Sequence, residues 1–242
     1  MIIAHRGYDK GENPLGSLNE SLKLGADAIE CDLRLTKDNQ AVVYHDKILR
    51  VGDKAIRISS STLSKIKFEC NGNSPLTLDE LLSFAKVKKV PLFLEVKTSS
   101  HNLIDLIAEK VQKREMWPLV YVIGFSIFIR TALKLQLKYP KMRVLQFINF
   151  PKYSYIKKPK KSYGVFLGWL GGWLYPSKWL FKAFVPPQRL AKLNKYYSKH
   201  GFEVMAGVIN SDKAFQAFRK AGITDIVTDN VSDAVSLLKS NG

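Results

Sequence analysis

A closed α/β barrel of the (β/α)8 type, in a single domain, is the fold this sequence predicts. Three observations lead to it. Short apolar runs of strand character alternate with helical patterns along the chain. The length of 242 residues is close to the ~250 typical of such a barrel. Charged residues gather where strands end: His5-Arg6-Gly7 follows a four-residue apolar opening, and Glu30-x-Asp32, His45-Asp46 and Glu95-x-Lys97 follow in order. In a parallel barrel, functional groups collect at the C-terminal ends of the strands.

The elements follow in chain order. Strands are expected at 1–5, 27–34, 40–45, 91–96, 119–125, 143–148, 163–168, 203–209 and 225–228. The first is the apolar opening. The second alternates, the third carries Val42-Val43-Tyr44, and the fourth carries the apolar run Pro91 to Leu94. Helices are expected near 14–24, 77–87, 101–115, 127–138, 187–199, 211–221 and 231–240. Pro14 suits a first helical turn. Thr77 with Glu80 three residues on has the form of a capping box. Ser211 fits an N-cap, and Gly222 stops the helix that it begins. The stretch from 145 to 190 leaves barrel strands unassigned.

The carboxylate spacings carry chemistry. Residues two apart on a strand face the same side. Glu30 and Asp32 therefore share one face of the second strand, and Cys31 turns to the other. Two carboxylates roughly 6–7 Å apart on a strand repel unless a cation lies between them. The fourth strand repeats the device with Glu95 and Lys97. Glu30, Asp32 and Glu95 together suit one hard divalent cation, Mg2+ or Ca2+. Zinc is disfavoured, because no Cys-x-x-Cys or His-x-x-x-His spacing is present. Two of the four histidines, His5 and His45, fall in the same set of strand ends and are the candidates for acid–base work. Arg6 and Lys97 add positive charge for a phosphate, with Arg6 offering a two-pronged donor. The set points to an enzyme with a metal-dependent site for a phosphate ester.

The run from Ala4 to Asp46 resembles the opening of the glycerophosphodiester phosphodiesterase family, whose members share the barrel of phosphatidylinositol phospholipase C-like phosphodiesterases. The matching residues are His5-Arg6-Gly7, Glu12-Asn13, Gly25 to Asp32, Thr36, Asp38 and Val42 to Asp46. Leu76 to Leu82, Glu95-Val96-Lys97 and Gly222 to Asp229 extend the likeness over the chain. Two departures stand out. Pro14 replaces the usual Thr after Glu-Asn, and Ala206 to Asn210 stands where the family has a Trp-Thr-Val-Asn run. The resemblance implies hydrolysis of a glycerophosphodiester to an alcohol and glycerol 3-phosphate. One histidine would activate the nucleophile and the other would protonate the leaving alcohol, in an order the sequence leaves open. A lysophospholipase D acting on membrane lysophospholipids is the rival within the enzyme class. Outside it stands a non-catalytic module that binds anionic membrane or nucleic acid.

Composition narrows the partners. The net charge of +17 and pI near 9.8 favour anionic ones. Residues 152–163 carry five lysines, and 165–186 carry three of the four tryptophans. This aromatic and basic segment, at about 152–186, suits peripheral contact with an anionic membrane. Nucleic acid is the weaker partner, since no recognised nucleic-acid module appears. Two cysteines make no disulfide scaffold, no apolar span approaches the ~20 residues that cross a bilayer, and no signal segment precedes the first strand. A cytoplasmic location, with peripheral membrane contact, is the expectation.

Overall fold

The computed structural model describes residues 1–7, 14–98, 100–148, 162–168, 179, 181 and 183–239. Its strands are β1 (Ile2–Ala4), β2 (Ala28–Leu35), β3 (Ala41–Val43), β4 (Ile48–Val51), β5 (Lys54–Arg57), β6 (Leu92–Val96), β7 (Val120–Phe125), β8 (Arg143–Ile148), β9 (Gly164–Leu167), β10 (Glu203–Ala206) and β11 (Asp225–Thr228). Its helices are α1 (Pro14–Lys23), α2 (Leu63–Cys70), α3 (Leu78–Lys88), α4 (His101–Lys113), α5 (Arg130–Leu135), α6 (Pro187–Lys199), α7 (Asp212–Lys220) and α8 (Val231–Lys239).

Eight strands pair in parallel in the order β1-β2-β6-β7-β8-β9-β10-β11, and β11 returns to β1. The sheet is therefore a closed barrel surrounded by helices, as the alternating pattern predicts. β3 lies antiparallel on the outer half of β2, with Leu33 opposite Val43. All nine expected strands are present.

Alternation along β2 sorts side chains as the sequence requires. Ala28 joins the cluster that fills the barrel with Ile3, Phe93, Tyr121, Ile123, Leu145, Phe166, Met205 and Val227. Ile29, Cys31 and Leu33 face outward and pack under the helices. Within the barrel Phe93 stacks on Tyr121 at 4.5 Å and meets the edge of Phe166 at 6.3 Å. These rings fill the barrel beneath the strand ends that carry the charged residues. The helices cover the outside through one face each. α4, for example, buries Leu103, Ile104, Ile107, Ala108 and Val111, the spacing of a single helical stripe.

One excursion was not expected. Between His45 and Thr77 the chain forms the hairpin β4–β5 and the helix α2, with a small core of Val42, Leu49, Ile56, Ile58, Ile66 and Cys70. The sequence signal is Gly52-Asp53, a two-residue hairpin turn, with Gly52 at φ +56° where a side chain would be strained. The expected helix at 127–138 is shorter, reduced to α5 with turns on either side. Most of the aromatic and basic segment at 152–186 lies outside the described residues. Within it β9 forms, Phe181 and Val185 are buried, and Trp179 is exposed. No helix among the described residues is long and apolar enough to cross a membrane.

The capping box of α3 is present in both directions: Thr77 Oγ1 accepts from the Glu80 N–H, and Glu80 Oε2 accepts from the Thr77 N–H at 2.7 Å. Thr77→Ala is expected to lower the unfolding free energy by about 0.5–2 kcal/mol in urea titration, with the fold retained. Ser211 stands at the N-cap of α7 without a side-chain cap bond, so its replacement by Ala should cost less than the Thr77 change.

Candidate active site

The site is built from the ends of β1, β2, β3, β6 and β11. Parallel register sets Asp32 beside Glu95 and places Glu30 one pleat earlier on the same face. The carboxylates of Glu30, Asp32 and Glu95 each bring an oxygen within 4.8 Å of the others, and all three residues are buried. Like charges this close in a low-dielectric setting are costly unless protons or cations compensate them. Burial first, and Asp32 and Glu95 second, push the Glu30 carboxyl well above its ordinary pKa. Burial also raises Glu95, to about 7, against the pull of Lys97.

Two cations answer part of this charge. The Lys97 ammonium, just past the end of β6, lies 2.7 Å from Glu95 Oε1 and 3.0 Å from Asp32 Oδ1. Burial would lower its pKa, but the two carboxylates outweigh that and raise it. Arg6 Nε lies 3.2 Å from Asp32 Oδ2. At Asp32 burial alone would raise the pKa, yet Lys97, with help from Arg6, holds it low. Glu30 receives the Arg6 backbone N–H on Oε2 at 3.1 Å, while its buried Oε1 has no hydrogen-bond partner among the described residues. Both Asp32 oxygens and Glu95 Oε1 also lack a hydrogen bond among the described residues and are met only by the ion pairs with Arg6 and Lys97. Three converging carboxylates with such oxygens fit a hard divalent cation.

The backbone after β1 is shaped to make the Glu30 contact. Arg6 takes the left-handed conformation, φ +53°, and Gly7 follows at φ +59°. A Cβ on Gly7 would come 2.2 Å from Leu18 Cδ2 of α1. Strained geometry of this kind persists only where its surroundings enforce it.

The two histidines reach the acidic trio from different elements. His5 Nε2 lies 3.9 Å from Glu30 Oε2, and its Nδ1 lies 2.6 Å from Asp229 Oδ1 at the end of β11. His45 follows β3, and its Nδ1 lies 2.8 Å from Oδ1 of the adjacent Asp46. Arg34 donates to the His45 carbonyl, at 2.9 Å through Nε, and so holds the backbone that carries the ring. Burial lowers the His45 pKa, against the opposing pull of Asp32 and Asp46. Arg6, Asp32 and His45 open onto a cleft of about 410 Å3, also lined by Leu18 of α1, Leu49 of the hairpin, Asn73, Pro75 and Leu76.

All seven residues singled out from the sequence thus converge at one end of the barrel. The sequence reading did not single out Asp229 or Asn210. The signal for Asp229 was available, because it follows the apolar end of β11 just as His5 follows that of β1.

With the geometry established, the relatives are informative. The family described as the glycerophosphoryl diester phosphodiesterase family matches residues 5–233. The chain belongs to that family. A glycerophosphodiester phosphodiesterase of Caldanaerobacter subterraneus is 24% identical over the whole of this chain and 99% of its own. Among solved structures, a glycerophosphodiester phosphodiesterase of Thermotoga maritima superimposes with TM-score 0.76 at 21% identity, covering 98% of this chain and 97% of that one. A phosphodiesterase of Oleispira antarctica, in complex with the product sn-glycerol-3-phosphate, gives 0.72 at 18% identity over 99% and 96% of the two chains. The chain is an enzyme of this phosphodiesterase family, in agreement with the sequence reading.

The raised Glu95 pKa has a definite sign in stability. A carboxyl whose folded pKa of about 7 exceeds its unfolded value near 4.5 binds more protons in the folded state between those limits. Its contribution is full below the lower value and is lost as pH rises through the upper one. In EDTA the protein is therefore expected to lose thermal stability between pH 5 and 8. Mg2+ or Ca2+ should raise Tm more at pH 8 than at pH 5. An equal cation effect at both pH values would remove Glu95 from the cation site.

Proposed function

We propose that the protein hydrolyses glycerophosphodiesters to an alcohol and glycerol 3-phosphate, with one divalent cation at Glu30, Asp32 and Glu95 and with His5 and His45 in acid–base catalysis. The observation that supports this most is the meeting of two histidines with three buried carboxylates at the C-terminal mouth of the barrel. Family membership supplies the reaction class. The product named in the Oleispira complex is the one this reaction would release.

Each residue has a task that follows from its position. A cation bound by the trio, Mg2+ or Ca2+, would neutralise phosphate oxygens and stabilise the charge that develops in the transition state. Arg6 and Lys97, at the rim of the trio, add positive charge on the same side and orient the phosphate. Imidazoles titrate near working pH, so one histidine can accept the proton of the attacking hydroxyl or water. The other supplies a proton to the departing alcohol. Leu49, Tyr44 and Asn73 line the cleft beside His45, which gives one alcohol of the diester a place to lie.

Two finer expectations belong to the same proposal. The charge of +17 and the exposed indole of Trp179 support peripheral contact with an anionic membrane. Such contact would bring lysophospholipids within reach as substrates.

Headgroup release from glycerophosphocholine and lysophosphatidylcholine, each with Mg2+, Ca2+ or EDTA, tests the reading. Release from the soluble diester that EDTA abolishes is expected. Release from the lysolipid alone would move the activity to that of a lysophospholipase D, and release from neither would sink the proposal. His5→Ala and His45→Ala are each expected to lower kcat by on the order of 10²–10⁴-fold with the fold retained. Glu95→Gln should shift the cation titration to higher concentration, and an unchanged titration would exclude it as a ligand.

A further inference from the structure

His5 and His45 each carry a carboxylate on Nδ1, but the two pairs are built differently. The partner of His45 is its own neighbour Asp46, which is 70% exposed. The partner of His5 is 224 residues away, on the last barrel strand. That partner, Asp229, is itself held on several sides. Its backbone N–H donates to Asn210 Oδ1 at 2.9 Å, and its Oδ2 accepts from Asn210 Nδ2. Thr228 Oγ1 donates to the same Asn210 oxygen at 3.0 Å, and Asn230 Nδ2 donates to the Asn210 carbonyl at 3.1 Å. Asn210 thus uses both ends of its amide on the Thr228-Asp229 turn. Its own position is tied to β11 through the Ile209 N–H, which donates to the Val227 carbonyl at 3.0 Å.

We infer that Asn210 and Asp229 form a positioning clamp that fixes the His5 ring with its proton on Nδ1 and presents Nε2 toward the acidic trio. The reasoning is geometric. An ionised carboxylate only accepts hydrogen bonds, so an Asp229 oxygen 2.6 Å from Nδ1 requires a proton on that nitrogen. In the neutral ring Nε2 is then the bare nitrogen, and it is the one that lies 3.9 Å from Glu30. The side-chain amide of Asn210 stops the Asp229 carboxylate from turning away, because rotation would break its bond to Oδ2. Asp229 and Asn210 touch no reacting atom in this scheme and act only through His5. The inference rests on the role given to His5 under the proposed function, but its geometry can be checked without turnover.

Asp229→Asn leaves the shape nearly unchanged and removes the obligatory acceptor. It is expected to lower kcat by about 10²-fold or more with KM and the cation-dependent rise in Tm unchanged. Asn210→Ala should give a smaller loss, about 10-fold, with the same split. In a His5→Ala background the Asp229→Asn change should bring no further loss, since there is no ring left to position. A loss that adds in full to that of His5→Ala, or one seen chiefly in KM, would overturn the clamp. The independent readout is the 15N spectrum of the His5 ring, in which the wild type should show the Nδ1-protonated form and Asp229→Asn should lose it. An Nε2-protonated wild type would overturn the inference even if turnover behaved as expected. A correct tautomer in a protein with no phosphodiesterase activity would instead leave the clamp standing and sink the functional reading.

Discussion

Three buried carboxylates brought within 4.8 Å of one another are the constraint on which the rest of this site depends. Left without positive charge they would drive the mouth of the barrel apart or take up protons. The fold meets that demand with two cations from neighbouring strand ends. Lys97 bridges Glu95 and Asp32, and Arg6 covers the other side of Asp32. What remains is Glu30, which receives a single backbone N–H and keeps one oxygen without a partner among the described residues. The unequal sharing explains why Asp32 is held low while Glu30 and Glu95 are pushed up. It also marks the place where a divalent cation would relieve the most repulsion.

The barrel makes this concentration of charge tolerable. Beneath the trio the interior is filled by Phe93, Tyr121, Phe166 and their aliphatic neighbours, so the strands have a packed core that does not depend on the charged end. Phe93 sits two residues before Glu95, on the same face of β6. One strand therefore supplies both the apolar filling and a carboxylate of the acidic trio. Parallel register then aligns Asp32 with Glu95 without any contribution from loops. Groups held by strands move little, whereas His45, Asn73 and the hairpin around Leu49 belong to connecting segments that can vary in shape without loss of the barrel. The cleft next to His45 is accordingly the part of the site best placed to differ between relatives of one reaction.

Much of this was legible in the residues. The alternation of Ala28 to Leu33 told which side chains enter the barrel, and the charged ends of β1, β2, β3 and β6 marked the site. The hairpin β4–β5 and α2 were not read, although Gly52-Asp53 is a clear turn signal, because exposed strands such as Lys54–Arg57 lack a continuous apolar pattern. The α5 region was read too long, since its apolar residues continue into turns that the periodicity does not separate from helix. Asp229 passed unnoticed as a site residue for another reason. Its place after an apolar strand was a signal, but its partner His5 is identified only when β11 is seen to close against β1.

The sequence by itself determined the fold class, the direction of each side chain along β2 and β6, and the chemical character of the site. These follow from two-residue alternation and from residue type, which are local properties of the chain. Tertiary structure alone decided that Asp229 reaches His5, that Asn210 holds Asp229, and that Lys97 and Arg6 form ion pairs with Asp32 and not with Glu30. The first of these depends on barrel closure, which brings β11 back beside β1; the others depend on the pairing of neighbouring strands. Contacts between residues some two hundred positions apart leave no periodic trace in a single sequence.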